Sequence, residues 1–344
     1  RRFLLHARSL QKIQTSLKRA IHPLLAMQDL QDYCKPFSKA DAIWPVLPLP
    51  PDAIEMWWRQ WLLATPQGNH WQSLRLELPQ LLVNPQPLAR HSDRYQRLVL
   101  SGEPAQPKDF DLAPGLKNPD GCSITIANHP CGAVPVLTVS DHDDFVLIVR
   151  CLAHRCERVR VQETVHAQAV AGLIHWGLIR EIDAKCRCQI LILHRAPYSS
   201  LSASSVPSSP SFNQWINQSQ IWRLEHELTH IACRKLVGEM RINLFDELLA
   251  DAIGMKTALG FFHADLFRQG LGLNLDGTIQ DDARAHVYVQ QLAPKYHLAA
   301  CQMVLARAQE LERLLNTKQL PNDSIKLLKS LTKSTLDQPL KPNV

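Results

Sequence analysis

The feature that most constrains this chain is His226-Glu227-Leu228-Thr229-His230, followed by Glu247-Leu248-Leu249-Ala250-Asp251. Arg223 to Leu236 holds neither proline nor glycine, and Leu224, Leu228 and Ile231 give it an apolar face, so a helix is expected there. Side chains four apart on a helix are turned only about 40° from each other, which lets the rings of His226 and His230 face one ion. Glu227 lies about 100° round from His226. It is poorly placed as a ligand of the same ion but can reach a water held there. Leu244 to Gly254 reads as a second helix, with Glu247 and Asp251 one turn apart. Gly238 and Asn243 allow a reversal between the two, so the helices are expected to pack antiparallel with their motifs facing.

A catalytic zinc site takes three protein ligands and keeps one position open. The metzincin pattern would place glycine at 233 and histidine at 236; Cys233 and Leu236 stand there instead, so that resemblance fails. The expected third ligand is therefore Glu247. Asp251 is expected to accept the spare ring N–H of a ligating histidine, fixing its tautomer. Asp246, 100° round from Glu247, is expected to point away from the ion.

The pair His226-Glu227-x-x-His230 and Glu247-x-x-x-Asp251 resembles the gluzincin zinc metallopeptidases over about 30 residues. The resemblance implies zinc on His226, His230 and Glu247, with Glu227 as general base and Asp251 orienting a histidine. It also implies a His, Tyr or Arg that stabilises the oxyanion. Tyr198, His263, Arg284, His286 and Tyr288 are candidates, with Tyr198 and His263 preferred for their places before the motif loop and after the Glu247 helix.

The surroundings suggest an α+β chain: a zincin-like, mostly helical metal-binding core with a small α/β layer before it. Residues 1–114 read as a helical, Pro- and Trp-rich N-terminal region. Its first 33 residues look helical, WPVLPLPPD interrupts regular structure, and Trp57, Trp58 and Trp61 read as core packing. Residues 115–315 form the expected catalytic domain. In its α/β layer (115–198), CSITIAN, VPVLTV, FVLIVRCL and CQILILH read as strands, and residues 163–182 as a helix carrying Glu163, His166 and His175. Those histidines are expected to be hydrogen-bonded rather than ligands. Residues 199–211, with eight serines in thirteen positions, read as a mobile loop at the mouth of the site, and 212–315 as the metal-binding helices. Residues 316–344 form a Lys-rich tail with at most one short helix.

Composition narrows the function. Thirty-eight basic and 32 acidic side chains leave a net charge of +6, too small and dispersed to suggest nucleic acid. Residues 1–28 hold six Lys or Arg and no acid, read as a basic solvated helix face, a transit peptide being the alternative. No apolar run is long enough to span a membrane. Nine cysteines at irregular spacing fit reduced thiols in a cytoplasmic protein, and Cys151, Cys156, Cys186 and Cys188 miss the usual zinc-knuckle spacing. The expectation is a cytoplasmic zinc-dependent hydrolase acting on a peptide or small-molecule amide. Its rivals are a non-proteolytic zinc enzyme of a biosynthetic pathway and a binding protein with a vestigial metal site.

Overall fold

The structure is a computed structural model that describes residues 29–342 except Gln67. The expected helix over residues 1–33 and its basic face lie almost wholly outside the described residues. The chain is α+β and divides into two compact units. Among the described residues, one unit comprises 41–240 and 250–262, and the other comprises 29–40, 241–249 and 263–342.

The first unit is built on a four-stranded mixed sheet of order β1-β2-β4-β3. Its strands are β1 (Cys122–Ala127), β2 (Val134–Val139), β3 (Ala167–Leu173) and β4 (Cys188–His194). β1 and β2 are antiparallel, β2 and β4 parallel with Val136 opposite Leu191 and Val139 opposite His194, and β3 and β4 antiparallel. The two central strands are mostly apolar because both sheet faces are covered. On one face, Leu137, Val139, Ile190 and Ile192 pack with Phe145, Ile148, Trp58, Leu74 and Leu81. On the other, Val134, Val136, Leu191 and Leu193 pack with Leu228 and Ile231. The helix carrying the histidine motif is thereby seated directly on the sheet.

The longer helices of this unit are α1 (Ala53–Ala64), α2 (His70–Glu77), α3 (His142–Leu152), α4 (Trp176–Glu181), α5 (Phe212–Leu236) and the second part of α6 (Leu244–Leu259). Two expectations are corrected. FVLIVRCL is not a strand but most of α3: the Asp141 side chain caps it by accepting from the N–H groups of Asp143 and Asp144. Phe145, Ile148, Val149 and Leu152 are its buried stripe, a helical spacing that β-branched residues obscure. Residues 163–182 are not one helix. Ala167–Leu173 is strand β3, bulged between Val170 and Leu173, and His175 then caps α4 through its ring. Pairing with β4 overrides the helical preference of alanine.

The expected boundary near residue 114 is not followed either. Trp58, Trp71, Leu74, Leu81, Tyr95 and Leu98 belong to the same core as the sheet. Trp57, Trp58 and Trp61 pack among themselves and against His175, as core residues. The serine segment holds two 3-10 turns, Tyr198–Ser200 and Ala203–Ser205, with Leu201 and Val206 buried and the Leu201 carbonyl accepting from Trp215 Nε1 at 2.7 Å.

The second unit contains the start of α6, α7 (Ala264–Leu271), α8 (His297–Asn316) and α9 (Ser324–Leu331). α8 buries Ala300, Cys301, Val304, Ala308, Leu311 and Leu314, one helical stripe. Fully buried Tyr33 donates to the Tyr288 carbonyl and accepts from Leu244 N, tying three segments together. α9 is the single short helix of the Lys-rich tail.

Candidate functional site

α5 begins at a capping box in which Ser211 and Gln214 satisfy each other's backbone N–H groups, so the serine segment itself supplies the start signal. Without proline or glycine the helix runs 25 residues and carries the motif near its C-terminal end. His226 and His230 are both buried, each 6% exposed, and their Nε2 atoms face each other at 3.1 Å. The two rings stand nearly perpendicular, 83° apart.

The other ring nitrogen of His226 is held by Asp251. His226 Nδ1 lies 2.8 Å from Asp251 Oδ1, and the carboxylate is fully buried. Trp222 Nε1 donates to the same oxygen at 3.0 Å, and the Tyr198 hydroxyl donates to it as well. Asp251 Oδ1 is placed to accept from Nδ1–H of His226, the tautomer that leaves Nε2 as a lone-pair donor. Tyr198 stacks on Trp222 with ring centres 3.9 Å apart. Its backbone N–H donates to Ser219 Oγ, while Arg223 donates to the carbonyls of His194, Ala196 and Pro197. Arg223, one turn before His226, thus clamps the segment leaving β4 onto α5.

Gly254 explains how α6 comes so near. A Cβ there would lie 2.6 Å from the Trp222 carbonyl oxygen and 2.6 Å from its indole, with His226 N at 3.3 Å. Only glycine permits this approach, and Asp251 is one turn away on the same helix. Glu247 is one turn earlier again, 3% exposed, and Arg284 donates to its Oε2 at 2.7 Å. Among the described residues, His226, His230 and Glu247 are the group of three whose donor atoms could hold a metal ion, each offering one within 4.8 Å of the others. Two imidazole nitrogens and a carboxylate oxygen suit zinc or another borderline divalent cation. Glu227 is half-buried, and its carboxylate has no hydrogen-bond or ion-pair partner among the described residues.

Not every candidate joins this group. Tyr198 is beside His226, but its hydroxyl is directed at Asp251 and at Nδ1, 3.2 Å away, the ring edge opposite Nε2. That position places the hydroxyl behind His226, not on its Nε2 side. His263 caps α7, its Nδ1 accepting from Leu266 N. His286 Nε2 bonds the Gln280 carbonyl. Asp246 is buried and not solvent-facing, 1% exposed, with its backbone N–H on Asn243 Oδ1. His175 is a core histidine whose Nδ1 accepts from Leu178 N, and burial pushes its pKa down to about 4. His166 pairs with His194, Nδ1 to Nδ1 at 3.0 Å, with His142 alongside. None of the nine cysteines is in a disulfide, and the thiol of Cys156 donates to the Gln80 carbonyl at 3.3 Å. Sequence reasoning missed Trp222, Arg223 and Gly254; only the glycine, inside an otherwise strong helical run, carried a signal.

No helix among the described residues is long and apolar enough to cross a membrane. No curated protein and no solved structure matches the chain. One family model does, over residues 15–189 and 184–340, and its second segment contains His226, Glu227, His230, Glu247 and Asp251. With nearly its whole length matched, the chain belongs to this family, described as a family of unknown function (DUF7005).

Proposed function

We propose that this chain is a zinc-dependent hydrolase that cleaves an amide or peptide bond, with a gluzincin-like division of labour on a zincin-like pair of helices. The observation that carries the reading is the convergence of His226, His230 and Glu247 donor atoms within 4.8 Å, with Asp251 occupying the far nitrogen of His226. Three ligands leave a coordination position open, the arrangement of catalytic rather than structural zinc. Zinc, when bound, supplies Lewis acidity and a water that ionises near neutral pH.

The remaining tasks fall to the chain's own side chains. Glu227, on the same turn as His226 and with no competing partner, takes a proton from the attacking water and returns it to the leaving nitrogen. Asp251 keeps His226 in the tautomer that binds through Nε2. Trp222 and Tyr198 hold that carboxylate in place. Arg284 neutralises and orients Glu247.

The test combines metal analysis with turnover. The purified chain should carry one zinc. Glu227→Gln should retain that zinc and lose hydrolysis of either a peptide library or a panel of small amides. His226→Ala should lose the metal itself. A chain with no bound zinc, or Glu227→Gln with undiminished turnover, sinks the proposal. Turnover of small amides without peptide cleavage selects the non-proteolytic form.

A further inference from the structure

A second concave site lies in the first unit at the other end of β4. A cleft of about 700 Å³ is lined by the bulged end of β3, the C-terminal end of α3 and the segment from Arg90 to Leu100. Such a volume accommodates a cofactor-sized molecule. Its polar lining is one-sided: Arg90, His91, Arg155 and Arg187 contribute, and no carboxylate does. Among the described residues none of these three arginines forms an ion pair. Arg90 Nε contacts His91 Nε2, Arg187 donates to the carbonyls of Ala184 and Cys186, and the Arg155 side chain has no hydrogen-bond partner.

Two further observations mark the cleft as built for a ligand. Gln80, 3% exposed and part of the lining, has its amide Nε2 on the Ile174 carbonyl, while its Oε1 is buried without a partner. A buried acceptor left unmade costs stability unless something donates to it. Arg155 also sits at φ 53°, in the left-handed region that non-glycine residues avoid. It is held there because Cys156, next in the chain, buries its thiol against the Gln80 carbonyl and bonds its N–H to the Arg150 carbonyl. Strain of this kind persists where the surroundings enforce it, often at binding sites.

We infer that this cleft binds a small molecule carrying a phosphate or diphosphate group, held by Arg90, Arg155 and Arg187, with a hydroxyl or amino group donating to Gln80. Three guanidinium groups with no ion pair among the described residues call for a multiply charged anion, and their planar forks match phosphate oxygens in pairs. A single carboxylate leaves most of that charge unbalanced. The concave shape and the apolar wall of β3 favour a small molecule over a polymer backbone. The inference does not rest on the metal site, since Arg187 and His194 stand at opposite ends of β4, roughly 20 Å apart at strand rise.

Inorganic pyrophosphate is the probe, titrated calorimetrically into the full chain before and after zinc chelation, with citrate and a single-stranded oligonucleotide as comparisons. Pyrophosphate should bind at one site in both preparations and more tightly than citrate. Arg155→Gln and Arg187→Gln should each weaken it about ten-fold. Arg160→Gln, exposed on the same segment but outside the lining, should not. Both cleft arginines are exposed, so an unchanged melting midpoint without ligand verifies that the variants fold. Absence of pyrophosphate binding overturns the inference, as does loss of binding on chelation, tighter citrate binding, or oligonucleotide binding that pyrophosphate does not displace. Unweakened binding in both arginine variants overturns it too.

Discussion

At the scale of single residues, the histidine motif was legible because helix geometry alone brings positions 226 and 230 to one side. The partners behind them were only half legible. Asp251 could be placed from its spacing after Glu247. Trp222 and Tyr198 could not, because their contact with Asp251 depends on the packing of α5, α6 and the segment after β4. The geometry separates their roles. Asp251→Ala should weaken zinc affinity or activity roughly 10- to 100-fold, the usual loss when a carboxylate behind a ligating histidine is removed. Competition against a calibrated chelator would read this directly. Tyr198→Phe removes one of the donors that hold Asp251 and should weaken zinc binding by a few-fold, leaving kcat near normal when zinc is saturating. A large kcat loss in fully loaded Tyr198→Phe would instead put the hydroxyl on the substrate. Asp246→Ala should also lower stability, since that carboxylate is buried.

At the scale of elements, the sequence was clear where period and composition agreed and misleading where they conflicted. β1, β2 and β4 were readable as short β-branched runs, and α5 as a long uninterrupted helix. α3 was misread because a run of valine and isoleucine hides the spacing of Phe145, Ile148, Val149 and Leu152. The acidic cap at Asp141 was the better guide. β3 was misread because an alanine-rich stretch looks helical until a neighbouring strand claims it. The element-scale prediction concerns the approach of α6 to α5. Gly254→Ala puts a methyl group 2.6 Å from a backbone oxygen of α5, which no side-chain rotation relieves. The helices must part, at a cost of about 1–3 kcal/mol, and Asp251 moves off His226 as they do. Thermal unfolding should show a lower midpoint, and zinc affinity should fall with it. An unchanged midpoint with intact zinc binding would mean that the close contact at Trp222 is not what seats Asp251.

At the scale of the whole molecule, α+β character was readable from the alternation of apolar runs with helical segments. The way the core is shared was not. Trp58, Leu74, Leu81 and Leu98 lie in Pro-interrupted text that looked like a separate region, yet they complete the hydrophobic cover of a sheet that begins at Cys122. Local sequence holds no record of such long-range pairings. The first unit also holds buried and half-buried histidines, and this gives the chain a predictable acid sensitivity. Burial pushes His129, His175 and His194 down to about 4 and His166 to about 3, Lys235, Arg223 and neighbouring histidines adding to the effect at three of them. Unfolded, each returns to about 6.5. Between roughly pH 6.5 and 4 the unfolded chain therefore binds protons that the folded chain refuses, so stability falls as pH falls across that window. Burial raises the carboxyls of Glu77 and Glu225, which offsets part of this loss, while other carboxylates follow at lower pH. Burial alone would raise Glu55 and Asp109, but bonds from Ala133 N and Arg59, and from Gln106 N and Arg97, leave both below their ordinary values, so their contribution is lost only under more acid conditions. Urea midpoints should accordingly drop from pH 7 to pH 5, with little change from pH 7 to pH 8. His175→Gln should flatten part of that slope, because a neutral amide cannot take up the proton in either state. A midpoint that stays level from pH 7 to pH 5 would show that these rings accept protons in the folded chain as readily as in water.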